Sequence, residues 1–380
     1  MWTARARARG AVAAIDLDAL RANVARVREV AAGAEVMAVV KADAYGHGLV
    51  ACARAAVEAG ATWLGAALPE EAIALRDAGV TARVLTWLTV PDSPFTACIE
   101  RDIDVTVSAG WALDAVVSAA AETGRCARIQ LKLDTGLSRN GSTMAEWPAL
   151  VAVAREAELA GLVEVTGVWT HFACADEPAH PSVAGQLALF HQGLEVAERA
   201  GLRPRVRHAS NSAATFGVPA ARFDLVRVGI AMYGLSPGPA IGSARELGLR
   251  PVMSLRAQLA SVKRVEAGSG VSYGQLYSTS SASTLGVVPL GYADGIPRSA
   301  SNVGPMLVAG AARTVAGRVC MDQVVVDLGD AEARAGDEVV LFGADGPTAD
   351  EWADACGTIG YEIVTRIGAR VPREHLGVTS

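Results

Sequence analysis

In Val39-Val40-Lys41-Ala42-Asp43-Ala44-Tyr45-Gly46-His47-Gly48 an apolar run ends on a lysine and breaks into a turn rich in glycine, histidine, aspartate and tyrosine. The run itself, Val36–Val40, reads as a short buried strand, because β-branched residues suit a covered, pleated surface. An α/β barrel sets its reactive groups at such a place, since the C-terminal strand ends open onto the loops. A lysine there is either a Schiff-base nucleophile or a strand-end charge reaching solvent.

Lysine usage bears on that choice. The chain has three lysines, Lys41, Lys132 and Lys263, against 31 arginines. Where only a surface positive charge is needed, this chain uses arginine. A surviving lysine suggests a need for a primary amine, because arginine stays protonated and serves as neither nucleophile nor base.

Outward from Lys41, short apolar runs alternate with helix-like segments. The predicted strands are Val36–Val40, Thr62–Ala67, Arg83–Trp87, Ile103–Val107, Arg128–Leu133, Val163–Thr170, Val206–His208 and Leu225–Gly229. Leu49–Ala59, Glu70–Ala78 and Glu146–Ala160 are among the helix-like pieces between them. Eight strands with intervening helices is the count of a closed (β/α)8 barrel of the TIM type. An open doubly wound sheet shares the alternation, but no G-x-G-x-x-G follows the first strand. After Pro237-Gly238-Pro239 the texture becomes mainly β, with strand-like Val252–Val265, Thr284–Pro289, Met306–Val308, Thr314–Val319, Gln323–Asp327 and Glu338–Phe342, and one short helix near Asp350–Ala355. The expected organisation is an α/β plus β chain: a barrel over 13–245 and a mainly β C-terminal domain over 246–380, which residues 1–12 could join.

Composition narrows the function. With 51% hydrophobic and 19% charged residues the chain is globular with a large core, and 380 residues suit two domains. A net charge of −6 argues against nucleic-acid binding. Met1 to Arg9 lacks the apolar stretch of a signal peptide, and no window reaches membrane-spanning length, so a cytoplasmic protein without membrane association is expected. Six scattered cysteines without a C-x-x-C pair, and six histidines without ligand spacing, make a metal unexpected.

Four further segments fall at or near predicted strand ends. Lys132-Leu133-Asp134-Thr135-Gly136-Leu137-Ser138-Arg139 combines the second lysine with an arginine seven residues on. Trp169-Thr170-His171-Phe172 closes the sixth strand and His208-Ala209-Ser210-Asn211-Ser212 the seventh. The eighth carries Arg227 inside an apolar run, with Asp224 as one available partner. A buried arginine needs partners, because an unpaired buried charge is costly. Loops after strands seven and eight are the usual phosphate site of this barrel, so Ser212 and the Gly229-Ile230 backbone suit a phosphorylated cofactor. A phosphate site together with a strand-end lysine points to pyridoxal 5'-phosphate.

Taken together, these segments make the chain resemble the alanine racemases, pyridoxal-phosphate enzymes of fold type III, from Ile15 to Arg373. The lysine decapeptide is the signature. Lys132-Leu133-Asp134-Thr135-Gly136, Thr170-His171-Phe172, Asn211-Ser212, Arg227-Val228-Gly229-Ile230, Val271-Ser272-Tyr273-Gly274, Gly291-Tyr292-Ala293-Asp294-Gly295 and Cys320-Met321-Asp322 also match. The resemblance implies that Lys41 holds the cofactor and is one base, and that Tyr273 is the opposite base, supplied by the other subunit of a homodimer. It further implies phosphate contacts from Tyr45, Ser212, Gly229, Ile230 and Tyr361, and Arg227 at the pyridine nitrogen with His171 and His208 in the polar network around it. Leu85 and Arg139 join the cofactor contacts. Arg139, Met321 and Tyr292 shape the substrate site, and Lys132 is a candidate for carbamylation. The implied activity is interconversion of L- and D-alanine, an isomerase reaction supplying D-alanine for peptidoglycan. A serine-preferring or broad-specificity racemase, and a decarboxylase of the same fold, are the alternatives.

Overall fold

The computed structural model describes residues 3–377, so residues 1–2 and 378–380 of the expected C-terminal domain lie outside it. Eight parallel strands, Glu35–Val39, Trp63–Ala66, Arg83–Thr86, Asp104–Val107, Ala127–Lys132, Val163–Trp169, Val206–His208 and Leu225–Val228, stand side by side in chain order, with the first also paired to the last. The seventh and eighth meet through Asp224 N–H to the Arg207 carbonyl at 3.1 Å and Arg227 N–H to the Ser210 carbonyl at 3.0 Å. The circle of strands thus forms a TIM-type barrel with helices outside. Its interior holds a plug made by Met37, Trp63, Leu85, Val206 and Leu225, all fully or almost fully buried. These residues come from strands one, two, three, seven and eight, and Trp63, Val206 and Leu225 are the first residues of theirs, so the plug lies toward the N-terminal end of the barrel.

The second unit is mainly β, and its six-stranded sheet does not respect chain order. Ala11–Asp16 lies one strand in from the edge, antiparallel to Met253–Gln258 and parallel to the edge strand Arg373–Leu376. The expected barrel start at 13 therefore cuts through a strand of the other unit; the helix Leu17–Ala31 is the first element on the barrel side. Expected Val252–Val265 is two strands, Met253–Gln258 and Ser261–Val265, in different sheets. Expected Thr314–Val319 is also corrected. The strand is Ala311–Thr314, hairpinned onto Pro305–Val308, and only Val315 continues as an isolated bridge. At Gly317 (φ +82°) the backbone turns left-handed against the Val271 carbonyl, which ends the extended run. A short helix, Gly360–Thr365, carries no strong periodic signal and was not anticipated. It returns from the second unit to the barrel mouth.

Leu85, expected among the cofactor contacts, is corrected here. It points inward, as period-two alternation requires, but sits in the plug below the mouth and is 0% exposed. Trp87, two residues on and on the same face, is the one that reaches the mouth. Leu85→Ala is expected to lower the unfolding free energy by about 2–5 kcal/mol through cavity creation. Denaturant unfolding checks this; a change below about 1 kcal/mol would mean that Leu85 is not part of a tightly packed plug.

Candidate active site

The C-terminal end of the barrel opens into a cavity of about 680 Å³, and the site is built around the turn that follows the first strand. After Lys41 the backbone does something L-residues rarely do: Ala42, Asp43, Ala44 and Tyr45 all have φ of 53–54°. A left-handed turn costs roughly 1–2 kcal/mol per residue, so it persists only where its surroundings hold it. Ala42 N–H donates to Glu71 Oε1 at 2.6 Å, and the other Glu71 oxygen accepts from Ala67 and Leu68 N–H. The fully buried His47 ring places Nδ1 3.0 and 2.9 Å from the Ala44 and Tyr45 carbonyls. Carbonyls only accept, so Nδ1 carries the proton. Arg373 Nε donates to the Gly46 carbonyl at 3.0 Å, and Tyr233 Oη to the Val39 carbonyl at 3.0 Å. The outcome is that Lys41 and Tyr45, four residues apart, both face the cavity.

Lys132, Arg139, His171, Ser212, Arg227, Gly229, Ile230 and Tyr361 line the same space. Ser212 Oγ accepts from Gly229 N–H at 3.0 Å, which ties the seventh and eighth strand ends together. Tyr45 packs against Tyr233 at 4.8 Å between ring centres, and Tyr361 enters on the returning helix 6.2 Å away. Asp134 accepts from the backbone N–H groups of Gly136, Leu137 and Ser138, and so shapes the loop that delivers Arg139. Asp224 does not pair with Arg227: it lies against Arg207 at 2.7 Å. Arg227, 4% exposed, instead donates to His208 Nδ1, to His171 Nδ1 and to the Thr170 and Ala209 carbonyls, at 2.8–3.2 Å.

Among the described residues, four cations line the cavity and no carboxylate does. Burial is the first cause of every resulting shift. It lowers Lys41, with Arg139 adding to it, and it lowers Lys132 to about 7, with Arg227 and Arg139 adding. Burial also brings Arg227 down to about 9, and holds His171 and His208 well below their ordinary range, so both histidines are neutral acceptors. Trp169 supplies a π-face to this charge: Lys132 Nζ lies 4.4 Å and the Arg227 guanidinium 4.7 Å from its ring centre.

Three expected site residues are elsewhere. Tyr273, Tyr292 and Met321 do not line the cavity and are 70%, 41% and 53% exposed. Their loops are stitched to one another. Ser272 Oγ donates to the Arg318 carbonyl at 2.6 Å, Tyr292 N–H to the Cys320 carbonyl at 3.0 Å, and Ala293 N–H to the Met321 carbonyl at 2.9 Å. Asp294, 0% exposed, anchors the group through Arg9 at 2.7 Å and Arg370 at 3.2 Å. Conversely Trp87, Asn140 and Thr365, which the sequence does not single out, line the cavity, as does Trp169, quoted above only as part of a strand-end segment with no role. Strand alternation was the available signal for Trp87, and the adjacent Thr170-His171 for Trp169.

The lowered Lys132 makes a pH prediction. Between about 7 and its ordinary 10.5, the unfolded chain holds a proton that the folded chain lacks, so stability rises with pH through that window. In carbonate-free buffer the unfolding midpoint should climb with pH there, and Lys132→Met should flatten the climb. An unchanged slope in that variant would remove Lys132 as its source.

Two family models cover nearly all of the chain: "Alanine racemase, N-terminal domain" matches residues 15–237 and "Alanine racemase, C-terminal domain" residues 252–375. The alanine racemase of Streptomyces coelicolor is 59% identical over 372 residues, covering 96% of this chain and 95% of the relative. That of Frankia casuarinae is 56% identical over 367 residues, covering 96% of both. The solved alanine racemase of Streptomyces lavendulae superposes with a TM-score of 0.96 at 58% identity, covering 97% of each chain. Neither alternative activity weighed from the sequence is favoured by these relatives.

Proposed function

Because the chain belongs to the alanine racemase family, and is an isomerase by that membership, we propose that it interconverts L- and D-alanine with pyridoxal 5'-phosphate held at Lys41. The observation that carries this reading is the cavity's charge: two amines and two guanidiniums with no carboxylate among the lining residues. Such a site suits a dianionic phosphate and a substrate carboxylate together. The cradle also fits the phosphate. A Cβ on Gly229 would lie 2.3 Å from Tyr45 Oη, so glycine is what admits that hydroxyl beside the Gly229-Ile230 backbone and Ser212.

When bound, pyridoxal phosphate supplies a conjugated electron sink that acidifies the α-hydrogen of an attached amino acid. The remaining work falls to side chains. Desolvation lowers the Lys41 pKa, which enlarges the neutral fraction that can attack an aldehyde or take a proton near pH 7. Arg227 presents donors only, so a ring nitrogen facing it stays an unprotonated acceptor. Arg139 reaches a substrate carboxylate. Lys132, lowered to about 7, has the free amine needed to add carbon dioxide; the resulting carbamate would pair with Arg139 and offset the surplus positive charge.

Racemisation needs a second base on the opposite face of the α-carbon, and a single copy of the cavity holds only Lys41 and Lys132 as amines. Tyr273 is our second base, brought by a second copy of the chain, with Met321 and Tyr292 arriving beside it. Its 70% exposure on loops hydrogen-bonded to one another supports this reading, as does the exposure of Tyr292 and Met321. Lys41 then serves the D-isomer's proton and Tyr273 the L-isomer's. A cytoplasmic enzyme making D-alanine for peptidoglycan is the role we assign, on the family alone.

Purified protein in D₂O should exchange the α-proton of both L- and D-alanine only when pyridoxal phosphate is present. Absence of cofactor-dependent exchange for either isomer would overturn the reading. Tyr273→Phe should depress exchange from L-alanine more than from D-alanine, by about 10²–10⁴-fold. Sharing of sites has its own test. Randomly mixed Lys41→Ala and Tyr273→Phe chains should regain about a quarter of native activity, because half the dimers carry one intact site of two; no recovery would place both bases in one chain.

A further inference from the structure

Beneath the cavity, Arg227 is the near end of a hydrogen-bonded chain that crosses the barrel to a fully buried carboxylate, Asp104. Each link has a direction. Arg128 Nε donates to Asp104 Oδ1 at 2.8 Å, and Thr166 Oγ1 lies 2.6 Å from Asp104 Oδ2. A carboxylate beside a guanidinium accepts and does not donate. The Gln130 amide group that faces Asp104 Oδ2, at 3.4 Å, is therefore its NH₂. This turns Gln130 Oε1 toward His208 Nε2, 2.7 Å away, so Nε2 carries the imidazole proton. His208 Nδ1 is then a lone pair, and Arg227 donates to it at 3.0 Å. The carboxylate of Asp104 at one end of the chain and the donor-only guanidinium of Arg227 at the other thus select the same tautomer of His208.

The backbone is shaped for this chain. The register between the fifth and sixth strands slips between Ile129 and Gln130: Ile129 pairs with Val165 and Gln130 with Gly167, so the sixth strand carries Thr166, the residue that reaches Asp104, as a bulge. Across the slip stands Gly167, where a Cβ would come within 2.9 Å of Gln130 Cδ and Oε1. A glycine and a bulge together make room for one amide. Trp169 stacks on His208 at 5.6 Å with the rings 5° from parallel, which flanks one face of the imidazole.

We infer that Gln130 and Asp104 are positioning residues for the racemisation site: they hold His208 as the neutral Nε2–H tautomer and so hold the Arg227 guanidinium toward the cofactor ring. Neither residue lines the cavity. The inference rests on Arg227 being the group that faces the cofactor, as proposed above.

The test uses full-length protein labelled with ¹⁵N-histidine, with and without pyridoxal phosphate, with the His208 resonances assigned by their loss in His208→Gln. In native protein His208 should show a protonated, strongly hydrogen-bonded Nε2 and an unprotonated Nδ1 in both states. Gln130→Met keeps the length and packing of the side chain but removes the acceptor. It should weaken pyridoxal phosphate binding, titrated onto the apoprotein, by about tenfold, shift the cofactor's absorbance, and release the Nε2 proton to faster solvent exchange. Asp104→Asn should give a smaller change of the same sign, with the Nε2 proton of His208 exchanging faster than in the native protein while Nδ1, facing Arg227, stays unprotonated. A proton on Nδ1 in the native protein overturns the inference. So does a Gln130→Met protein with native cofactor affinity and an unchanged His208 spectrum, which would reduce Gln130 to packing. Failure of native protein to bind pyridoxal phosphate would instead overturn the functional reading, while the tautomer in the apoprotein still decides the fate of the chain beneath it.

Discussion

A run of four L-residues in a left-handed turn is the constraint on which the site depends. Between Val40 and Gly46 the chain must leave the barrel mouth, present Lys41 and return Tyr45 to the same cavity. The left-handed turn spends conformational energy to bend them inward together. That energy is recovered from contacts on every side: Glu71 from the next βα unit, His47 and Tyr233 from beneath, and Arg373 from the second unit. The two units are thereby locked where the lysine sits. This explains why the C-terminal stretch reaches back to the barrel mouth and why Ala11–Asp16, at the other end of the described chain, runs in the same sheet as Arg373–Leu376.

The cavity's electrostatics follow from what was left out of it. With no carboxylate among the lining residues, the positive charge is met by neutral acceptors. Two imidazoles and two carbonyls take the Arg227 donors, and the Trp169 ring lies under both Arg227 and Lys132. A carboxylate partner would have satisfied Arg227 more simply, but it would also have neutralised the attraction for an anionic ligand. The nearest buried carboxylate in the hydrogen-bonded chain, Asp104, is kept two residues away, behind Gln130 and His208. Its influence arrives as the orientation of dipoles.

Much of this was legible in the sequence where the signal is local. The eight strands appear within a residue or two of their observed ends, because short β-branched runs between helical segments have few other readings. Lysine scarcity singled out Lys41 and Lys132, and both line the cavity, whereas Lys263 lies on an exposed strand. Depth was not legible. Period-two alternation says that Leu85 and Trp87 share a face; it does not say which lies in the plug and which at the mouth. Long-range pairing was not legible either. Ala11–Asp16 enters a sheet whose other strands lie more than 200 residues away in the chain, and Gln130 and Asp104 read as ordinary strand residues until four strands bring their partners together. The family resemblance carried Tyr273, Tyr292 and Met321, which no local pattern would have grouped; the structure brings their loops together but outside the cavity.

The division of labour between lysine and arginine gives the lysine scarcity its physical meaning. Burial lowers the pKa of any cation, but the starting point decides the result. Arg227, fully desolvated, falls only to about 9 and keeps its proton at neutral pH. Lys132, starting near 10.5, falls to about 7 and becomes half neutral there. In one cavity, then, arginines provide fixed charge that no ligand or pH change in the ordinary range removes, and lysines provide amines that gain and lose protons. Exchanging either for the other would reverse its role as well as change the geometry of its donors. An arginine at 41 could not release a proton on demand. A lysine at 227, buried as deeply and facing the same acceptors, would be free to lose the proton that its position exists to hold. A chain that uses arginine nearly everywhere and lysine at only three positions, two of them at this cavity, is responding to that difference in starting pKa more than to charge.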